Sequence, residues 1–597
     1  MTFYSYSVTK TLKNITIFIV AAVFLILLYR FYQIQIKQHS KFSDIAEDNR
    51  IRVVSLEAPR GIIYDRNGEI IVDNKFQYNV FLIPFEVDSV NKCYKKLGEI
   101  LDLNTKTIKE RVKKNWRGRF KPALIAKGVK FEVLSRIEEH KLEFPGVIYK
   151  LDPYRSYPSG VNLTHILGYL REIDDYSLKR LKKYGYNYGD LIGWEGVERQ
   201  YESILRGEKG YKYVQVNARG RILGDLESKK NIHPKPGNDL YLTIDLGLQD
   251  TCERLLSENK GAIIVLDPKN GETLAAVSKP DYEPDIFSGI INKEVWDSLR
   301  SDPQRPLYNR ITKATYPPAS TFKMMASMGA LKKNIVNPGW EVNCPGYYRL
   351  GRRKFKCWKE WGHGDVNMEK SIEQSCDVYY YRLIRKMELD YWANVVRKFG
   401  FGKRTDIDLT GESPGNVPDK NYMNKLFGEN GWTEGNKLNL VIGQGEVLVT
   451  PIQMAKYISA FATDGKLIHP HVGLKYFAGD KFGTFTTRED SIDYFAKETW
   501  DFMNDALFDV VNDPSGTGNL ANARSVDVYG KTGTAQNPHG ENHAWFVGYA
   551  DNGREKIALV VLLENGGSGG RDAAPVAGAI FNYCVENIWN NKELVSN

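Results

Sequence analysis

The sequence predicts an α+β protein that follows an N-terminal membrane anchor, and three observations lead to this prediction. One long apolar stretch lies near the N-terminus, strand-like segments stand at both ends of the region from about 241 to 597, and helical patterns fill the interval between them. The strands alternate or are wholly apolar. Strands from the two ends must therefore form one antiparallel sheet whose faces are covered by helices.

The composition is that of a folded protein with roughly two to four domains. The chain has 597 residues, of which 42% are hydrophobic and 26% charged. These values exclude a disordered, collagen-like or multi-spanning membrane protein. The formal net charge of +9 is mild for this length. We expect no nucleic-acid partner, since the chain has no long Lys/Arg run or zinc-finger spacing, and the surplus charge suits an anionic membrane or an acidic polymer.

Residues 15–29 form an uncharged apolar run bracketed by Lys13 and Arg30. A bilayer needs about 20 apolar residues, and this run reaches roughly 17 when the flanking cations extend to the headgroups. A cleaved signal peptide would need small residues after the run, whereas large and charged residues follow it here. A soluble core helix is rarely apolar on every face. We predict an uncleaved single-pass anchor with a short tail in residues 1–34.

Residues 35–240 are predicted to form a separate α/β domain. An alternating run at 78–83 indicates a strand and a helical pattern covers 90–101. The Pro- and Gly-containing stretch 234–238 is typical of a linker.

The region 241–597 is predicted to hold the main α+β domain. Residues 261–267 and 272–278 flank an Asn-Gly turn and indicate a hairpin. Residues 319–520 are predicted to be mostly helical. Further strands are predicted at 526–534, 543–550 and 556–564, and a closing helix at 574–589.

Ser320 and Lys323 open a predicted helix directly after Pro317 and Pro318. Residues three apart share a helix face. A serine in the first turn lies where free backbone N–H groups can hold an oxyanion, and a desolvated lysine can accept its hydroxyl proton. The Ser-x-x-Lys pattern alone is weak, because it recurs at three other serines that lack the Pro-Pro entry: Ser7, Ser89 and Ser257.

Two further motifs strengthen this interpretation. Ser375, Cys376 and Asp377 lie in a helix-like run at 368–387. A Lys-Thr-Gly-Thr sequence follows on a predicted strand, where glycine allows a ligand to approach the backbone closely and the lysine supplies positive charge for a carboxylate. Its residues are Lys531, Thr532, Gly533 and Thr534.

The three motifs, in this order, resemble the active site of penicillin-recognising serine acyl transferases. Further segments are similar to class B penicillin-binding proteins, and 358–364 and 399–402 are similar to the elongation-type branch of that family, penicillin-binding protein 2. Two residues depart from the pattern: Ala319 stands where many relatives have Gly, and Asp377 where others often have Asn. The segments that carry the class B resemblance are 60–68, 157–169, 196–207, 306–310, 443–451 and 543–546.

The resemblance implies a penicillin-recognising transpeptidase domain at 241–597 after an elongated pedestal at 35–240, and a D,D-transpeptidase that cross-links peptidoglycan stem peptides during elongation. Ser320 would be the nucleophile trapped by β-lactams, Lys323 the general base, and Ser375 a proton relay. Lys531, Thr532 and Thr534 would bind the substrate carboxylate, with Gly533 and Asp377 beside it. No catalytic cofactor is implied.

The same resemblance implies an inner-membrane location with the catalytic body in the periplasm, and docking of the pedestal on a RodA-type membrane glycosyltransferase of the elongation machinery. A septal transpeptidase and a D,D-carboxypeptidase remain alternatives. A non-catalytic β-lactam sensor is disfavoured, because such sensors usually have several membrane spans or a cytoplasmic effector.

Cysteine and histidine residues cluster in the sequence close to the second motif. Cys344, Cys357, His363 and Cys376 lie within 33 residues. Three thiolates and an imidazole match a structural zinc site in ligand type. A Cys344–Cys357 disulfide and free thiols are the other interpretations, and both stay open at the level of sequence.

Overall fold

The computed structural model describes residues 3–41, 51–87, 90–216, 222–226, 230–288, 293–479 and 481–589. Parts of the predicted anchor and pedestal ranges lie outside these residues, namely 1–2, 42–50, 88–89, 217–221 and 227–229. The chain forms two compact units. The first unit comprises Met1–Pro59, Phe76–Pro153 and Gly207–Pro236, and the second comprises Arg60–Lys75, Tyr154–Arg206 and Gly237–Asn597.

One helix of the first unit is apolar along most of its length. It spans Phe3–Tyr32 and continues as a π-helical turn, Gln33–Lys37. The segment Lys10–Lys37 is long and apolar enough to cross a membrane, and its side chains are exposed along its length. No acidic residue lies within it, and Arg30 is in its last turn. These properties agree with the predicted single-pass anchor.

The rest of the first unit is a small α/β arrangement. Strands Ile51–Leu56, Gly210–Val216 and Ile222–Asp225 form an antiparallel sheet, and the end of strand Ile70–Leu82 pairs with Ala123–Val129. Amphipathic helices bury Leu97, Ile108 and Leu134 in a shared core. The helix predicted at 90–101 has the same bounds in the structure. The helices are Val90–Leu101, Thr105–Lys114 and Phe131–Glu139, with 3-10 turns Pro84–Glu86 and Lys141–Glu143.

The second unit contains a five-stranded antiparallel sheet assembled from both ends of the predicted α+β region. Its order is Thr273–Lys279, Gly261–Leu266, Lys556–Leu563, His543–Asp551 and Asp527–Ala535, so the last of these is an edge strand. The prediction of one antiparallel sheet is confirmed. Helix Pro451–Ala462 packs against it with all of its side chains buried, and Leu246–Leu256, Lys497–Asn512 and Ala574–Tyr583 cover it further.

The remaining elements of the second unit are short. The helices are Thr164–Leu167, Asp175–Leu181, Gly196–Gln200, Glu202–Leu205, Lys293–Ser301, Lys323–Lys332, Met368–Glu373, Asp377–Ile384, Leu389–Lys398, Lys420–Phe427 and Glu434–Val441. The 3-10 and π-helical turns are Lys182–Tyr184, Pro284–Phe287, Ala319–Phe322, Asn519–Ala521, Gly569–Ala573 and Cys584–Trp589. The strands outside the large sheet are Ile63–Tyr64, Leu170–Glu172, Leu191–Gly193, Leu240–Leu242, Val342–Cys344, Tyr347–Leu350, Arg353–Lys356, Gly364–Val366, Lys466–Ile468, Gly473–Ala478, Lys481–Thr484 and Glu489–Ser491, together with the straddling strands Ile70–Leu82 and Val147–Ser156.

Two segments of the class B resemblance, 60–68 and 196–207, meet in the second unit around the buried carboxylate of Glu198. Its oxygens accept hydrogen bonds from Arg60 at 2.7 Å and from Arg155 Nε at 2.7 Å. Arg60 also bonds Glu202 at 2.8 Å. A buried charge is tolerated only when it is paired and hydrogen-bonded, which explains why both arginines accompany Glu198.

Three expectations about local structure are wrong. The predicted helix at 368–387 is interrupted at 374–376 between two shorter helices. The middle section is less helical than expected, because it contains hairpins between 342 and 366 and between 466 and 491. The closing α-helix ends at Tyr583, where a π-helical turn begins.

Candidate active site

Ser320 lies in the 3-10 turn Ala319–Phe322, and the α-helix itself begins at Lys323. Ala319 has φ +53°, in the left-handed region, which turns the chain sharply before the serine. Its N–H donates to Gly443 O at 2.8 Å. Trp545 Nε1 donates to Pro317 O at 3.0 Å. Two hydrogen bonds to the residues just before Ser320, one from a side chain and one to a backbone carbonyl, therefore hold this turn in addition to helix geometry.

Lys323 is completely buried, and its ammonium bonds the second motif. Nζ donates to Ser375 O at 2.7 Å, to Ser375 Oγ at 3.2 Å and to Asp377 Oδ1 at 2.8 Å. Within the described part of the chain, these three bonds satisfy the ammonium without the hydroxyl of Ser320. The first and second motifs are thus joined directly through Lys323.

The second motif occupies the break between helices Met368–Glu373 and Asp377–Ile384. Ser375 has φ +57°, an uncommon conformation for a residue with a Cβ. This turn aims the Ser375 carbonyl and hydroxyl at Lys323. Asp377 begins the second helix, and its other carboxylate oxygen accepts from Trp358 N at 3.0 Å. Burial raises the pKa of Asp377, and the charge of Lys323 opposes that change.

The third motif lies on the edge strand Asp527–Ala535. A Cβ added to Gly533 would lie 3.0 Å from Thr321 Cγ2 and 3.1 Å from Pro318 O. Glycine at this position therefore lets the strand pack directly on the turn that carries Ser320. Thr534 is exposed, and its hydroxyl accepts from Gly569 N at 3.2 Å. The Thr532 hydroxyl lies 2.8 Å from that of Thr517.

Lys531 is completely buried. Its Nζ donates to Thr532 O at 3.2 Å. Burial lowers the pKa of Lys531 well below its usual value, and the charge of Lys323 lowers it further. Two lysines thus share one desolvated region beside the carboxylate of Asp377, and a ligand carboxylate would add to the negative charge there.

Gln444 takes part in the site in a way that the sequence does not reveal. Its side-chain Nε2 donates to Thr534 O at 3.1 Å, and its Oε1 accepts from Gln536 N at 3.2 Å. The amide thus bonds the outer edge of the strand that carries the third motif. The Gly-Gln-Gly sequence at 443–445 was the available signal, but spacing alone does not indicate where its side chain points.

The four cysteine and histidine residues of the predicted metal site come together beside the second motif. One ligand atom from each of Cys344, Cys357, His363 and Cys376 lies within 4.8 Å of the others. His363 Nδ1 is 3.6 Å from both Cys344 Sγ and Cys357 Sγ. Sulfurs bound to one tetrahedral zinc lie roughly 3.8 Å apart. The donor set and spacing therefore fit one such ion.

No disulfide joins the cysteines of this cluster in the structure. All six cysteines of the chain, which are described without exception, are free, so the Cys344–Cys357 disulfide is absent from the structure. Hydrogen bonds with Cys357 and Cys376 lower the pKa of Cys344, whereas hydrogen bonds with Cys344 and Cys357 raise the pKa of Cys376. A lowered pKa favours the thiolate, which is the form that binds metals.

All candidate catalytic, substrate and metal residues named from the sequence lie in the second unit. Cys376 connects two of these groups, because it is a member of the cluster and separates Ser375 from Asp377 in the chain. The contacts that could not be read from the sequence are those of Gln444, Thr517 and Gly569.

Comparison with known proteins places this chain in a family. The model of the penicillin binding protein transpeptidase domain matches residues 261–582, and that of the penicillin-binding protein dimerisation domain matches residues 55–242. A relative from Acinetobacter baumannii named peptidoglycan D,D-transpeptidase MrdA is 36% identical over 584 residues, covering 94% of this chain and 85% of the relative.

Two solved structures extend the comparison to the fold. The complex between penicillin-binding protein PBP2 and MreC from Helicobacter pylori is similar with a TM-score of 0.79 at 27% identity, covering 90% of this chain and 100% of that one. A structure described as structural coordination of polymerization and crosslinking by a peptidoglycan synthase complex has a TM-score of 0.69 at 26% identity, covering 96% and 98% of the two chains. The α+β fold expected from the sequence is confirmed. The chain belongs to the penicillin-binding protein family of transpeptidases, as its elongation-type, class B resemblance predicts.

Proposed function

We propose that Ser320 is the nucleophile of a serine D,D-transpeptidase that cross-links peptidoglycan stem peptides during cell elongation. The transpeptidase-domain match and the relatives named peptidoglycan D,D-transpeptidase MrdA establish the D-Ala-D-Ala transpeptidase activity and favour elongation over septation or simple hydrolysis. The assignment of each residue below is our own. The single observation that carries it is the contact of Lys323 Nζ with Ser375 and Asp377, which unites the first two motifs in a buried site.

Ser320 Oγ attacks the carbonyl carbon of the penultimate D-Ala of a stem peptide. Lys323 accepts the hydroxyl proton as general base, and Ser375 Oγ, 3.2 Å from Lys323 Nζ, passes that proton to the departing amine. The peptide C–N bond breaks and terminal D-Ala leaves. An amine of a neighbouring stem peptide then attacks the ester, its proton returns to Lys323, and Ser320 regains its hydroxyl as the cross-link forms.

Binding and charge stabilisation are assigned to the edge strand. Lys531, Thr532 and Thr534 hold the substrate carboxylate, and Gly533 keeps the strand close to the nucleophile. The backbone N–H groups of Ser320 and Thr534 stabilise the oxyanion, each contributing about 3 kcal/mol. Asp377 orients Lys323. β-Lactams mimic D-Ala-D-Ala and acylate Ser320.

Mass spectrometry of the chain after reaction with a fluorescent penicillin tests this assignment. We expect one penicilloyl adduct, on Ser320, and none in Ser320→Ala. Ser257→Ala is the matched control, because Ser257 heads another Ser-x-x-Lys sequence and is exposed. Label on any other residue, or none on the parental chain, overturns the assignment.

We further propose that Cys344, Cys357, His363 and Cys376 hold a structural zinc. An ion there joins the loop before Trp358 to the residue between Ser375 and Asp377 and so stabilises the second motif. It takes no part in the reaction, because penicillin-binding transpeptidases need no catalytic cofactor. Elemental analysis is expected to give about one zinc per chain. Less than about 0.1 per chain contradicts the proposal.

Membrane location and partners are also proposed. The apolar helix at the N-terminus anchors the chain in the inner membrane, with residues 1–34 as tail and anchor, 35–240 as pedestal and 241–597 as transpeptidase domain in the periplasm. The pedestal docks on a RodA-type glycosyltransferase, which the similarity to a peptidoglycan synthase complex and to a PBP2–MreC complex supports. Co-purification is expected to disappear when anchor and pedestal are deleted; unchanged co-purification contradicts the docking.

A further inference from the structure

The hairpin formed by strands Tyr347–Leu350 and Arg353–Lys356 carries an unbalanced positive charge. Residues 347–359, called the basic hairpin below, contain six Lys or Arg and no Asp or Glu. All six are exposed. They are Arg349, Arg352, Arg353, Lys354, Lys356 and Lys359.

Among the described residues, none pairs a carboxylate with these charges. In the part of the chain that the structure describes, no carboxylate oxygen lies within 4.0 Å of their nitrogens. Two of them lie over aromatic rings instead. Lys354 Nζ is 4.5 Å from the centroid of Tyr347, and the Arg353 guanidinium is 4.8 Å from that of Phe355.

The register of the hairpin places like charges opposite each other. Arg349 pairs directly with Lys354, so both side chains project from the same face. Like charges in this position destabilise an antiparallel pair. The hairpin therefore bears a repulsion that its fold does not require and that a bound anion would relieve.

The basic hairpin is firmly attached to the candidate active site. Phe355 is buried against Tyr381, with ring centroids 5.8 Å apart. Cys357 N donates to Gly346 O at 2.8 Å and closes the base of the hairpin. The next residue, Trp358, donates its N–H to Asp377, which bonds Lys323. A polymer bound along the hairpin would thus lie beside the reacting centre.

We propose that the basic hairpin binds the free carboxylates of stem peptides on a peptidoglycan strand adjacent to the one being cross-linked. This inference rests on the proposed function, because that function makes a carboxylate-bearing polymer the substrate. Charge complementarity selects such a strand and attracts it over several ångströms. Trp361, 92% exposed, adds an aromatic face for a sugar ring. The contact with Asp377 favours a polymer at the active site over a membrane surface.

The test compares three variants of the full chain, held in nanodiscs of neutral phosphatidylcholine. The hairpin-neutral variant carries Arg349→Gln, Arg352→Gln, Arg353→Gln and Lys354→Gln. The charge-retaining variant carries Arg349→Lys, Arg352→Lys and Arg353→Lys. The surface control replaces by Gln four exposed cations elsewhere in the second unit, Lys403, Arg404, Lys425 and Arg524.

The measured quantity is the Kd for labelled, uncross-linked peptidoglycan strands. We expect about tenfold weaker binding by the hairpin-neutral variant, parental affinity for the other two, and a decrease in parental binding as salt rises. Strands whose carboxyl groups have been converted to amides should bind the parental chain at least as weakly as intact strands bind the hairpin-neutral variant, because amidation also removes the terminal carboxylate assigned to Lys531, Thr532 and Thr534. The melting temperature should be unchanged or higher, because the repulsion between Arg349 and Lys354 is removed.

The inference is overturned if the hairpin-neutral variant binds the strands with parental affinity. It is also overturned if the parental chain binds amidated strands as tightly as intact ones. The inference is likewise overturned if the hairpin-neutral variant loses only its binding to added phosphatidylglycerol vesicles, because that result would indicate a membrane surface as the partner of the hairpin. Acylation of Ser320 by penicillin is measured on the same samples and should be equal in all of them. Failure of the parental chain to be acylated contradicts the proposed function. The strand-binding measurement, by contrast, decides only whether the basic hairpin binds stem-peptide carboxylates.

Discussion

The carboxylate of Asp377 and the ammonium of Lys323 form a buried ion pair, with 2.8 Å between Asp377 Oδ1 and Lys323 Nζ. Lys323 has no exposed surface, so its charge depends on this partner and on the oxygens of Ser375. Asp377 stands where other penicillin-binding proteins often have Asn, and the sequence predicts its negative charge near Lys323 or Lys531; in the structure it contacts Lys323.

Replacing Asp377 is expected to test the pair. Asp377→Ala leaves Lys323 buried without its counter-charge, and we expect a loss of about 3–5 kcal/mol in the free energy of unfolding and much slower penicillin acylation. Asp377→Asn keeps an oxygen acceptor and should lose less. Thermal unfolding and acylation rates measure both. Asp365→Asn, at an exposed aspartate, is the control, and equal stability of all three variants would contradict the role of the pair.

The close approach of Gly443 and Ala319 predicts opposite effects for two substitutions. Ala319 has φ +53°, so Ala319→Gly relieves strain of about 1–2 kcal/mol while adding unfolded-state entropy, and should be between neutral and about 1 kcal/mol more stable. A Cβ on Gly443 would lie 2.2 Å from Ala319 O, so Gly443→Ala should cost at least about 2 kcal/mol and slow acylation. Melting temperatures of the two variants check the signs. Destabilisation by Ala319→Gly would show that the turn needs the methyl group.

Gln444 is expected to hold the edge strand in place for acylation. Gln444→Ala removes two hydrogen bonds to that strand and should cost about 1 kcal/mol and reduce the acylation rate. Gln444→Glu keeps the acceptor for Gln536 N but directs a second oxygen at Thr534 O, so it should be slower than Gln444→Ala. Stopped-flow acylation with a chromogenic cephalosporin measures the order. The reverse order would show that the amide donor is unimportant.

Glu253 predicts a pH dependence of stability. Burial raises its pKa from 4.5 to about 7, despite hydrogen bonds from Gln249 and from Asn162 N. Because the folded state binds this proton more tightly, the stabilisation is complete below pH 4.5 and is lost as the pH rises through about 7.

The pH dependence is measured against a variant that does not titrate. Relative to Glu253→Gln, the parental chain should lose about 2–3 kcal/mol of unfolding free energy between pH 5 and 8. The prediction concerns the slope of the unfolding free energy against pH. The constant offset between the two curves is not part of it, since Gln alters the local hydrogen bonds. Glu258→Gln, at an exposed glutamate, should follow the parental slope. Parallel curves for Glu253→Gln and the parental chain would contradict a raised pKa.

Metal removal is expected to affect the second motif first. Dialysis against a zinc chelator should lower the melting temperature and slow acylation, because Cys376 separates Ser375 from Asp377, and readdition of zinc should restore both. Cys376→Ser should reproduce the loss without chelator. Cys93→Ala, which removes a buried thiol outside the cluster, is the control for metal content. Acylation insensitive to chelator in a zinc-containing chain would contradict the structural role.

Much of the fold follows from local pattern. The apolar runs at 262–266 and 557–563 and the Asn-Gly turn were sufficient to predict a sheet built from both ends. The order of its strands depends on contacts between distant segments, which periodicity does not carry.

The details of the site were less accessible. The run at 368–387 has no Gly or Pro, yet the helix breaks where Ser375 takes φ +57° to meet Lys323. The clustering of four metal-ligand types was visible in the spacing, whereas the side-chain contacts of Gln444 were not. A side chain that bonds a distant backbone leaves no periodic signal.

The edge strand Asp527–Ala535 has a consequence for self-association. Unpaired strand edges invite a second chain to add by hydrogen bonding. Here the amide of Gln444 occupies Thr534 O and Gln536 N, and Lys531 Nζ donates to Thr532 O, so these backbone groups are not available to a second chain. The edge strand is therefore protected against pairing along its length with another copy of the chain, which lowers its tendency to aggregate.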